Sequence, residues 1–404
     1  MIIKTLSLSN FRIFRRLEID FDRQFTLFCG DNAQGKTSLL EAVHLMSILT
    51  SPIAGNDKEM VNLASHNDAT SVGRLVSVIN KNGKNHNIEI RLILHKTRSG
   101  TFCLRKQVLI DGIRKKLFDA VGFFNSVLFL PQTMRIVEGS PVERRRYLDQ
   151  TLSQVFPGYV KALDKFQKGV VKRNALLKQL FETGGDQNQL LYWDKMIVEN
   201  AAVLIKLRNQ VISELWDRVR DKYLRLTNGR ETLEILYAPS FFPNRDPGPQ
   251  RSIGGINIQN IEMDMDEIAE EYEKRLLKMR RDEINRGVTL IGPHRDDMVF
   301  MINGVDLGVY GSRGQIRSAI MALKFSEMEW LKEKTGETPV LLLDETLAEL
   351  DKNRREDFLN VIDNNGQAIL TTADLDLFSK EFISRCKVLE IKMGKINQPD
   401  LAEN

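Results

Sequence analysis

The sequence is poor in cysteine and has no long apolar run. Its three cysteines, Cys29, Cys103 and Cys386, are widely spaced and odd in number, which argues against a disulfide framework and against a paired zinc motif. No segment reaches the roughly 18 apolar residues that a membrane span needs, and the opening MIIKTLSLSN lacks the apolar stretch of an export signal. We therefore expect a soluble, cytoplasmic protein with buried free thiols and no membrane partner.

The net charge is also small. The chain has 58 lysines and arginines against 54 acidic residues, a formal charge of +4, so the total alone does not indicate a polyanionic partner. The cations are unevenly distributed, however. One run is Arg144-Arg145-Arg146, and a second lies between Lys274 and Arg281 on a predicted helix. Each run is either a solvated helix face or a surface that contacts phosphates, and both interpretations stay open.

Length and composition are those of a globular protein with more than one domain. The chain has 404 residues, of which 42% are hydrophobic and 28% charged. Near its start, FTLFC precedes a glycine-containing loop and then TSLLEAVHLMSIL at helical spacing, which predicts a strand–loop–helix unit. Lys81-Asn82-Gly83-Lys84, between two alternating segments, predicts a tight hairpin turn in a small antiparallel sheet.

The middle of the chain, from Pro141 to Arg286, shows helical periodicity. Three apolar stripes predict three amphipathic helices that fold back as an arm. Gly184-Gly185 predicts the end of the first helix, and residues 239–255, rich in proline and glycine, predict a long loop before the third. The stripe residues are Leu163, Phe166, Val170, Leu177 and Phe181; Trp193, Ile197, Ala201, Leu204, Val211, Leu215, Val219 and Tyr223; and Met265, Ile268, Tyr272, Leu276 and Met279.

Strand and helix patterns alternate again after Gly287. VTLIG, VLLLD and AILTT predict strands, and helices are predicted for residues 314–334 and 353–363. The predicted fold class is therefore α/β, with mixed sheets in a head that an inserted α-helical arm splits. The predicted boundaries are residues 1–140 and 287–404 for the halves of the head and 141–286 for the arm.

A phosphate-loop motif occupies the turn after FTLFC. Residues 30–37, GDNAQGKT, fit the pattern G-x-x-x-x-G-K-S/T without a gap. The strand before them and the helix after them disfavour an ordinary glycine turn. Its glycines permit a tight wrap, Lys36 supplies a positive charge to the outer phosphates, and the Thr37 hydroxyl suits Mg²⁺. The loop by itself predicts a bound nucleotide. The predicted nucleotide-binding residues are Gly30, Asp31, Asn32, Ala33, Gln34, Gly35, Lys36, Thr37 and Ser38.

Two acids lie together at the end of an apolar run. Asp344 is the last residue of VLLLD, and Glu345 follows it directly. A buried strand here places both carboxylates at the carboxyl edge of the sheet, beside the phosphate loop. Asp344 suits Mg²⁺, directly or through water, and Glu345 can orient or deprotonate the water that attacks the terminal phosphate. Acids that cap a strand are common, so only their combination with the loop predicts hydrolysis, with Lys36, Asp344 and Glu345 as catalytic residues.

The segment Gly311-Ser312-Arg313-Gly314-Gln315 opens a predicted helix about thirty residues before Asp344. By itself it is a helix cap or an anion-binding turn. The order of phosphate loop, arm, this segment and acidic strand resembles the ABC-ATPase class, in its chromosome-maintenance and repair branch. That resemblance implies an ABC-type P-loop ATPase head that binds ATP and Mg²⁺. It also implies that Ser312, Gly314 and Gln315 form a signature motif, which contacts the nucleotide of a second subunit.

Six stretches narrow the resemblance. LSNFR, GDNAQGKTSLLEA, GSPVERRRYLD, LIGPHRDD, SRGQIRSA and LLLDETLAELD, in this order and across nearly the whole chain, are similar to those of the RecF family of bacterial DNA repair proteins. The resemblance implies an ATP-dependent homodimer on gapped or junction DNA, single- and double-stranded, with weak, DNA-stimulated ATP hydrolysis. It also implies that RecO and RecR act with it to load RecA where single-strand-binding protein competes.

The resemblance assigns two further residues. The resemblance implies that Gln132, which follows the strand VLFLP, contacts the nucleotide and senses Mg²⁺. It also implies that Asp351, in AELD, is an acid of the dimer contact. A glutamine after a strand is as often an ordinary loop residue, so both interpretations of Gln132 stay open. The family commonly has glycine at the position of Ala33 and aspartate at that of Glu345. Neither departure removes the chemistry, because glutamate and aspartate have similar intrinsic pKa values.

His294-Arg295-Asp296-Asp297, directly after VTLIG, combines a cation with two acids. An isolated group of this kind is more often a structural salt bridge than a functional site. The family resemblance favours a role at the nucleotide or DNA face, and both interpretations stay open.

Two other functions fit the phosphate loop. A chromosome-organising SMC-like ATPase needs a long coiled coil, and the three stripes are too short and too interrupted to sustain many heptads. The function of a phosphotransferase acting on a small molecule would not explain the SRGQ segment or the split head. We therefore expect the repair ATPase.

Overall fold

A computed structural model describes most of the chain as two compact units. The described residues are 1–63, 70–97, 101–240, 251–253, 256–258, 263–346, 355, 358, 359, 362, 363 and 366–397. The first unit comprises Met1–Gln132 and Leu331–Asn404, and the second comprises Thr133–Trp330. Residues 287–330, which the sequence patterns group with the second half of the head, thus belong to the same unit as the helical middle of the chain.

The secondary-structure elements are numbered in chain order. The strands are β1 Ile2–Phe11, β2 Phe14–Asp20, β3 Phe25–Cys29, β4 Thr70–Lys81, β5 Lys84–Lys96, β6 Phe102–Ile110, β7 Ile113–Lys115, β8 Ser126–Phe129, β9 Leu233–Ala238, β10 Arg251–Ile253, β11 Ile256–Ile258, β12 Asp297–Ile302, β13 Val305–Asp306, β14 Val340–Asp344, β15 Ala368–Thr372, β16 Cys386–Lys392 and β17 Lys395–Asn397. The helices are α1 Lys36–Ile48, α2 Leu117–Ala120, α3 Arg135–Glu138, α4 Pro141–Ser153, α5 Pro157–Thr183, α6 Leu190–Leu226, α7 Met265–Arg286, α8 Leu307–Tyr310, α9 Arg313–Thr335 and α10 Lys380–Arg385.

The first unit contains two six-stranded sheets. One is antiparallel, in the order β2-β1-β4-β5-β6-β7. The other has the order β17-β16-β3-β15-β14-β8 and is parallel from β16 to β8. Every residue of β3, β14 and β15 is buried, as expected for parallel strands covered on both faces. These mixed sheets, with a helical segment between β8 and β14 in the chain, confirm the predicted fold class.

Local turn chemistry explains the hairpins of the antiparallel sheet. Asn82 and Gly83, between β4 and β5, have φ angles of 50° and 75°. Asp111 and Gly112, between β6 and β7, have φ angles of 52° and 77°. Two successive left-handed residues suit the two-residue turn whose twist matches that of the strands. The hairpin predicted at residues 81–84 is confirmed.

Three long helices, α5, α6 and α7, lie in the second unit with the small sheet β13-β12-β9. The predicted stripes are buried along most of their length, but Phe181 and Met265 are exposed because they lie in end turns of α5 and α7. Gly184 caps the end of helix α5: its φ of 67° suits glycine, and its N–H donates to Leu180 O. Among the described helices, none is long and apolar enough to cross a membrane.

A buried arginine joins the three long helices. Arg173, fully buried on α5, donates to Asp194 of α6 and to Glu283 of α7, each at 2.7 Å. It also donates to Thr289 Oγ1 at 3.0 Å. A buried charge is tolerated only when paired and hydrogen-bonded, and this cluster satisfies the arginine of α5 with partners from α6 and α7.

One predicted strand is wrong. Residues 288–292, VTLIG, form bends and irregular backbone, and the strand lies further on, in β12, which pairs with β9. The backbone of 288–292 is satisfied by side chains instead of by a sheet: Leu290 N donates to Glu283 Oε1 and Gly292 N to Ser240 Oγ, both at 2.8 Å. The sequence pattern of apolar residues before a glycine does not reveal these distant acceptors.

Two predicted segments fall largely outside the described residues. The helix expected at 353–363 and the contact acid Asp351 cannot be placed from the described part of the chain. Within the expected loop 239–255, residues 251–253 form β10, which pairs antiparallel with β11.

Candidate functional site

The order of the parallel strands brings distant segments to one sheet edge. Strand β15 lies between β3 and β14, and all three run in the same direction. The loop Gly30–Thr37 follows β3, Glu345 follows β14, and Thr371 lies near the end of β15. Parallel strands place their carboxyl ends together, which is where open α/β sheets bind ligands.

Two glycines shape the loop. Gly30 has a φ of 147°, and a Cβ there would lie 2.4 Å from Ile391 O. Gly35 has a φ of 110°, and its Cβ would lie 2.8 Å from Ile13 Cγ2. Only glycine combines these backbone angles with such close neighbours. The loop therefore wraps tightly just before α1.

Two other loop residues complete this geometry. Ala33 has a φ of 64°, in the left-handed region that costs a side-chain-bearing residue about 1–2 kcal/mol, so glycine would also suit this position. Gln34 holds the loop to the turn between β16 and β17, because its Oε1 accepts from Met393 N at 2.7 Å and its backbone O accepts from Gly394 N at 3.3 Å. Asp31 and Asn32 are exposed.

Lys36 opens α1 and turns its ammonium back into the loop. The side chain is only 4% exposed, and Nζ donates to Gly30 O at 2.6 Å and to Asp31 O at 3.2 Å. Nζ also forms an ion pair with Glu345 Oε1 at 2.9 Å. The lysine and the acid predicted to act in hydrolysis are thus in direct contact, although their roles remain predictions.

Asp344 is the most buried acid of this edge, at 4% exposure. Its Oδ2 accepts from Thr37 Oγ1 and its Oδ1 from Thr371 Oγ1, both at 2.7 Å. Burial raises the pKa of the Asp344 carboxyl above its ordinary value, and the two hydroxyl donors oppose that rise. The carboxylate and the Thr37 hydroxyl are hard oxygen donors of the kind that Mg²⁺ prefers.

Thr371 is a residue that the sequence patterns missed. Besides binding Asp344, it accepts from Glu345 N through both its backbone O and its Oγ1, at 3.2 Å each. Glu345 has a φ of 47°, so its backbone leaves the strand direction at this point. The only available signal was that AILTT ends in hydroxyl residues at the same predicted edge.

The predicted signature motif lies in the second unit and caps helix α9. Ser312 Oγ accepts from Gln315 N at 3.2 Å, and Gln315 Oε1 accepts from Ser312 N at 2.8 Å. This reciprocal pair is a capping box, in which two N–H groups of the first helical turn are satisfied. Ser312 is exposed, and Gly314 and Gln315 are partly exposed.

Exposed apolar side chains lie just before the motif. Val309 is 68% exposed and Tyr310 77%. Gly308 and Gly311 flank them, and a Cβ on either glycine would lie within 2.7 Å of a backbone oxygen, of Val137 and Leu307 respectively. The two glycines allow close backbone approach on either side, and the last two side chains of the short helix α8 face solvent.

The geometry adds little to the predictions for Gln132 and Ser38. Gln132 lies in the 3-10 helix Pro131–Met134 after β8, with an exposed side chain. Ser38 lies in the first turn of α1 and is partly exposed. Their roles at the nucleotide stay predictions. In the described part of the chain, no cluster of three or more His, Cys, Asp or Glu residues could hold a metal ion.

Two residues of the HRDD segment, Asp296 and Asp297, contact two arginines of the first basic run. Arg144 forms a bidentate pair with Asp297, at 2.6 and 2.9 Å, and Arg145 donates to Asp296 O at 2.7 Å. Burial lowers the pKa of His294 to about 4, so this imidazole is neutral at neutral pH. These contacts favour the structural interpretation for Arg144, Arg145 and the two acids.

Known proteins of nearly equal length are similar to this chain in sequence. The model of the RecF/RecN/SMC N-terminal domain family matches residues 2–395. The DNA replication and repair protein RecF of Agathobacter rectalis is 35% identical over 401 residues, which cover 99% of this chain and 100% of that protein. RecF of Chloroflexus aurantiacus is 36% identical over 405 residues, covering 98% of this chain and 99% of that protein.

Solved structures agree with these relatives. Structures of the recombination mediator protein RecF in the RecFOR pathway, described as RecF-ATP and RecF-ATPrS, match with TM-scores of 0.82 and 0.81. Each is 29% identical and covers 98% of this chain and 97% of the solved chain.

The loop geometry makes a stability prediction. Gly35→Ala is expected to lower the free energy of unfolding by about 1–3 kcal/mol, because the new Cβ meets Ile13 and the backbone angle is strained. Ala33→Gly, the matched control, is expected to change it by less than about 1 kcal/mol, because relief of the left-handed alanine offsets the added freedom of the unfolded chain. Urea unfolding measures both. Equal stability of the two variants would contradict this account of the loop.

Proposed function

Because this chain belongs to the RecF family of ABC-type ATPases, we propose that it is an ATP-driven, DNA-binding switch in DNA replication and recombinational repair. ATP joins two copies on gapped or junction DNA, and slow, DNA-stimulated hydrolysis releases them. The observation that carries the proposal is the meeting of Lys36, Thr37, Asp344 and Glu345 at one sheet edge.

The loop Gly30–Thr37 is proposed to hold the phosphates of ATP. Its tight wrap supports this role, because N–H groups of such a loop and of the following helix N-terminus converge on an anion. Lys36 supplies the positive charge. Thr37 and Asp344 are proposed to hold Mg²⁺, which would neutralise charge on the phosphate oxygens, and their oxygens already lie 2.7 Å apart.

Glu345 is proposed to act on the attacking water. In this structure its carboxylate is paired with Lys36, an arrangement in which it is not available as a base. The phosphates of ATP compete for the same ammonium, so nucleotide binding weakens the pair and frees Glu345. Hydrolysis thereby depends on a correctly bound nucleotide.

A second copy is proposed to complete the site. Ser312 is exposed and Gly314 and Gln315 are partly exposed at a helix N-terminus, whose dipole favours an anion. Val309 and Tyr310, exposed just before it, support a protein contact on this surface. ATP then favours the joined state because its contact with Ser312 of the second copy exists only there.

The DNA surface is proposed to include helix α7. Lys274 is bound by Glu271 at 2.8 Å and Arg280 by Asp194 at 2.5 Å, so these cations are partly neutralised. Lys278 and Arg281 are exposed one helical turn apart, and they are the better candidates for phosphate contacts.

The proposed pathway partners are RecO, RecR and RecA. The solved relatives are described as recombination mediators of the RecFOR pathway, which supports RecO and RecR as partners. With them, the DNA-bound dimer is proposed to promote RecA loading at single-strand gaps that single-strand-binding protein covers.

Ser312→Arg is expected to prevent ATP-dependent dimerisation, because a bulky cation at the capping position blocks approach of the second copy. By light scattering with ATP, we expect the unchanged protein to double in mass and the variant to remain a monomer that still binds ATP. Ser384→Arg, the same change at another exposed serine, is the control and is expected to dimerise normally. Normal dimerisation by Ser312→Arg would rule out the two-copy site.

The salt dependence of DNA binding tests the α7 surface. Log affinity falls with log salt by about 0.9 for each phosphate neutralised, so Lys278→Ala with Arg281→Ala is expected to reduce that slope by about 2. Lys274→Ala is the control on the same helix, and its slope is expected to change by less than about 0.5, because Glu271 already binds the ammonium. Fluorescence anisotropy from low to high salt measures the slopes. An unchanged slope for the double variant would exclude this surface.

A further inference from the structure

A carboxylate in the second unit binds the amide of the predicted signature motif. Gln315 Nε2 donates to Glu231 Oε1 at 2.8 Å. The other oxygen of the same carboxylate, Glu231 Oε2, accepts from the hydroxyl of Tyr223 at 2.7 Å. Tyr223 is fully buried. Glu231 therefore connects a buried tyrosine with a residue of the proposed partner-facing surface.

This contact decides which way the amide of Gln315 points. An ionised carboxylate only accepts hydrogen bonds, so Glu231 requires the NH₂ group of Gln315 on its side. The amide oxygen must then face Ser312 N, which donates to it at 2.8 Å. Without Glu231, a flipped amide would place NH₂ against Ser312 N and break the capping box. The carboxylate thus holds Gln315 and Ser312 in one arrangement.

The same carboxylate is tied to the longest helix of the chain. Tyr223 lies in the last turn of α6, which has 37 residues and therefore extends roughly 55 Å at 1.5 Å per residue. Glu231 follows α6 and precedes β9. Two hydrogen bonds, through Glu231, therefore link the last turn of α6 to Gln315.

We propose that Glu231 is a positioning residue that couples helix α6 to the signature motif, so that the state of the arm sets how Gln315 and Ser312 grip the ATP of a second copy. The coupling rests on the proposed function, since it presupposes the two-copy site. It adds a route by which contact of the arm with DNA changes the affinity of one copy for another.

Hydrogen exchange in the full chain without nucleotide tests whether Glu231 holds Gln315 and Ser312 in one arrangement. In Glu231→Ala, amide exchange in a peptide covering residues 311–318 is expected to be about tenfold faster than in the unchanged protein. Glu231→Gln is expected to restore slow exchange, because its amide accepts from Gln315 and donates to the Tyr223 oxygen. Asp217→Ala, which removes an exposed acid of α6, is the control and is expected to have no effect. Unchanged exchange in Glu231→Ala would overturn the proposal.

A double-mutant cycle tests the effect on dimerisation. Glu231→Ala is expected to weaken the ATP-dependent dimer about tenfold, and the double variant with Gln315→Ala is expected to be no weaker than Gln315→Ala alone. Additive losses would show that Glu231 does not act through Gln315. If Glu231→Ala dimerises normally, the coupling fails and the two-copy site stands. If the unchanged protein forms no dimer with ATP, the proposed function fails and the coupling fails with it.

Discussion

The buried carboxylate of Asp344 is the contact on which the site depends. It joins the start of α1 through Thr37 to the end of β15 through Thr371, and its own strand lies beside β15. A carboxylate this buried is tolerated because two hydroxyls donate to it. Glu345, which follows the same strand, forms an ion pair with Lys36. Phosphate loop, proposed metal ligands and proposed base are thus held together by one buried acid.

Contiguous motifs were predictable from the sequence, because their chemistry and their geometry lie in the same few residues. The phosphate loop, the acid pair after β14 and helix α9 are of this kind, and the structure has α9 where the spacing predicts it. Apolar stripes likewise predicted α5, α6 and α7. The boundary between the two units was harder to predict from the sequence. Residues 287–330 have the pattern of an α/β segment, but they share a unit with the helical middle of the chain.

Long-range polar contacts could not be predicted from the sequence. Thr371 and Glu231 carry no motif, and each matters only because the fold brings it to a residue far away in the chain. The incorrect strand at residues 288–292 has the same origin, since the N–H groups of Leu290 and Gly292 donate to side chains outside the segment. The cations Arg144 and Arg145 look like a surface patch in the sequence, yet the carboxylate of Asp297 and the backbone carbonyl of Asp296, in a distant segment, bind them.

Nucleotide control of DNA binding is the central claim, and one measurement tests it most directly. The affinity of the unchanged protein for a gapped duplex is measured at fixed salt with ATP, with ADP and with no nucleotide. If ATP joins two copies on DNA, binding is expected to be at least about tenfold tighter with ATP than in the other two conditions, because a second set of phosphate contacts is engaged. Equal affinity in all three conditions would contradict the account.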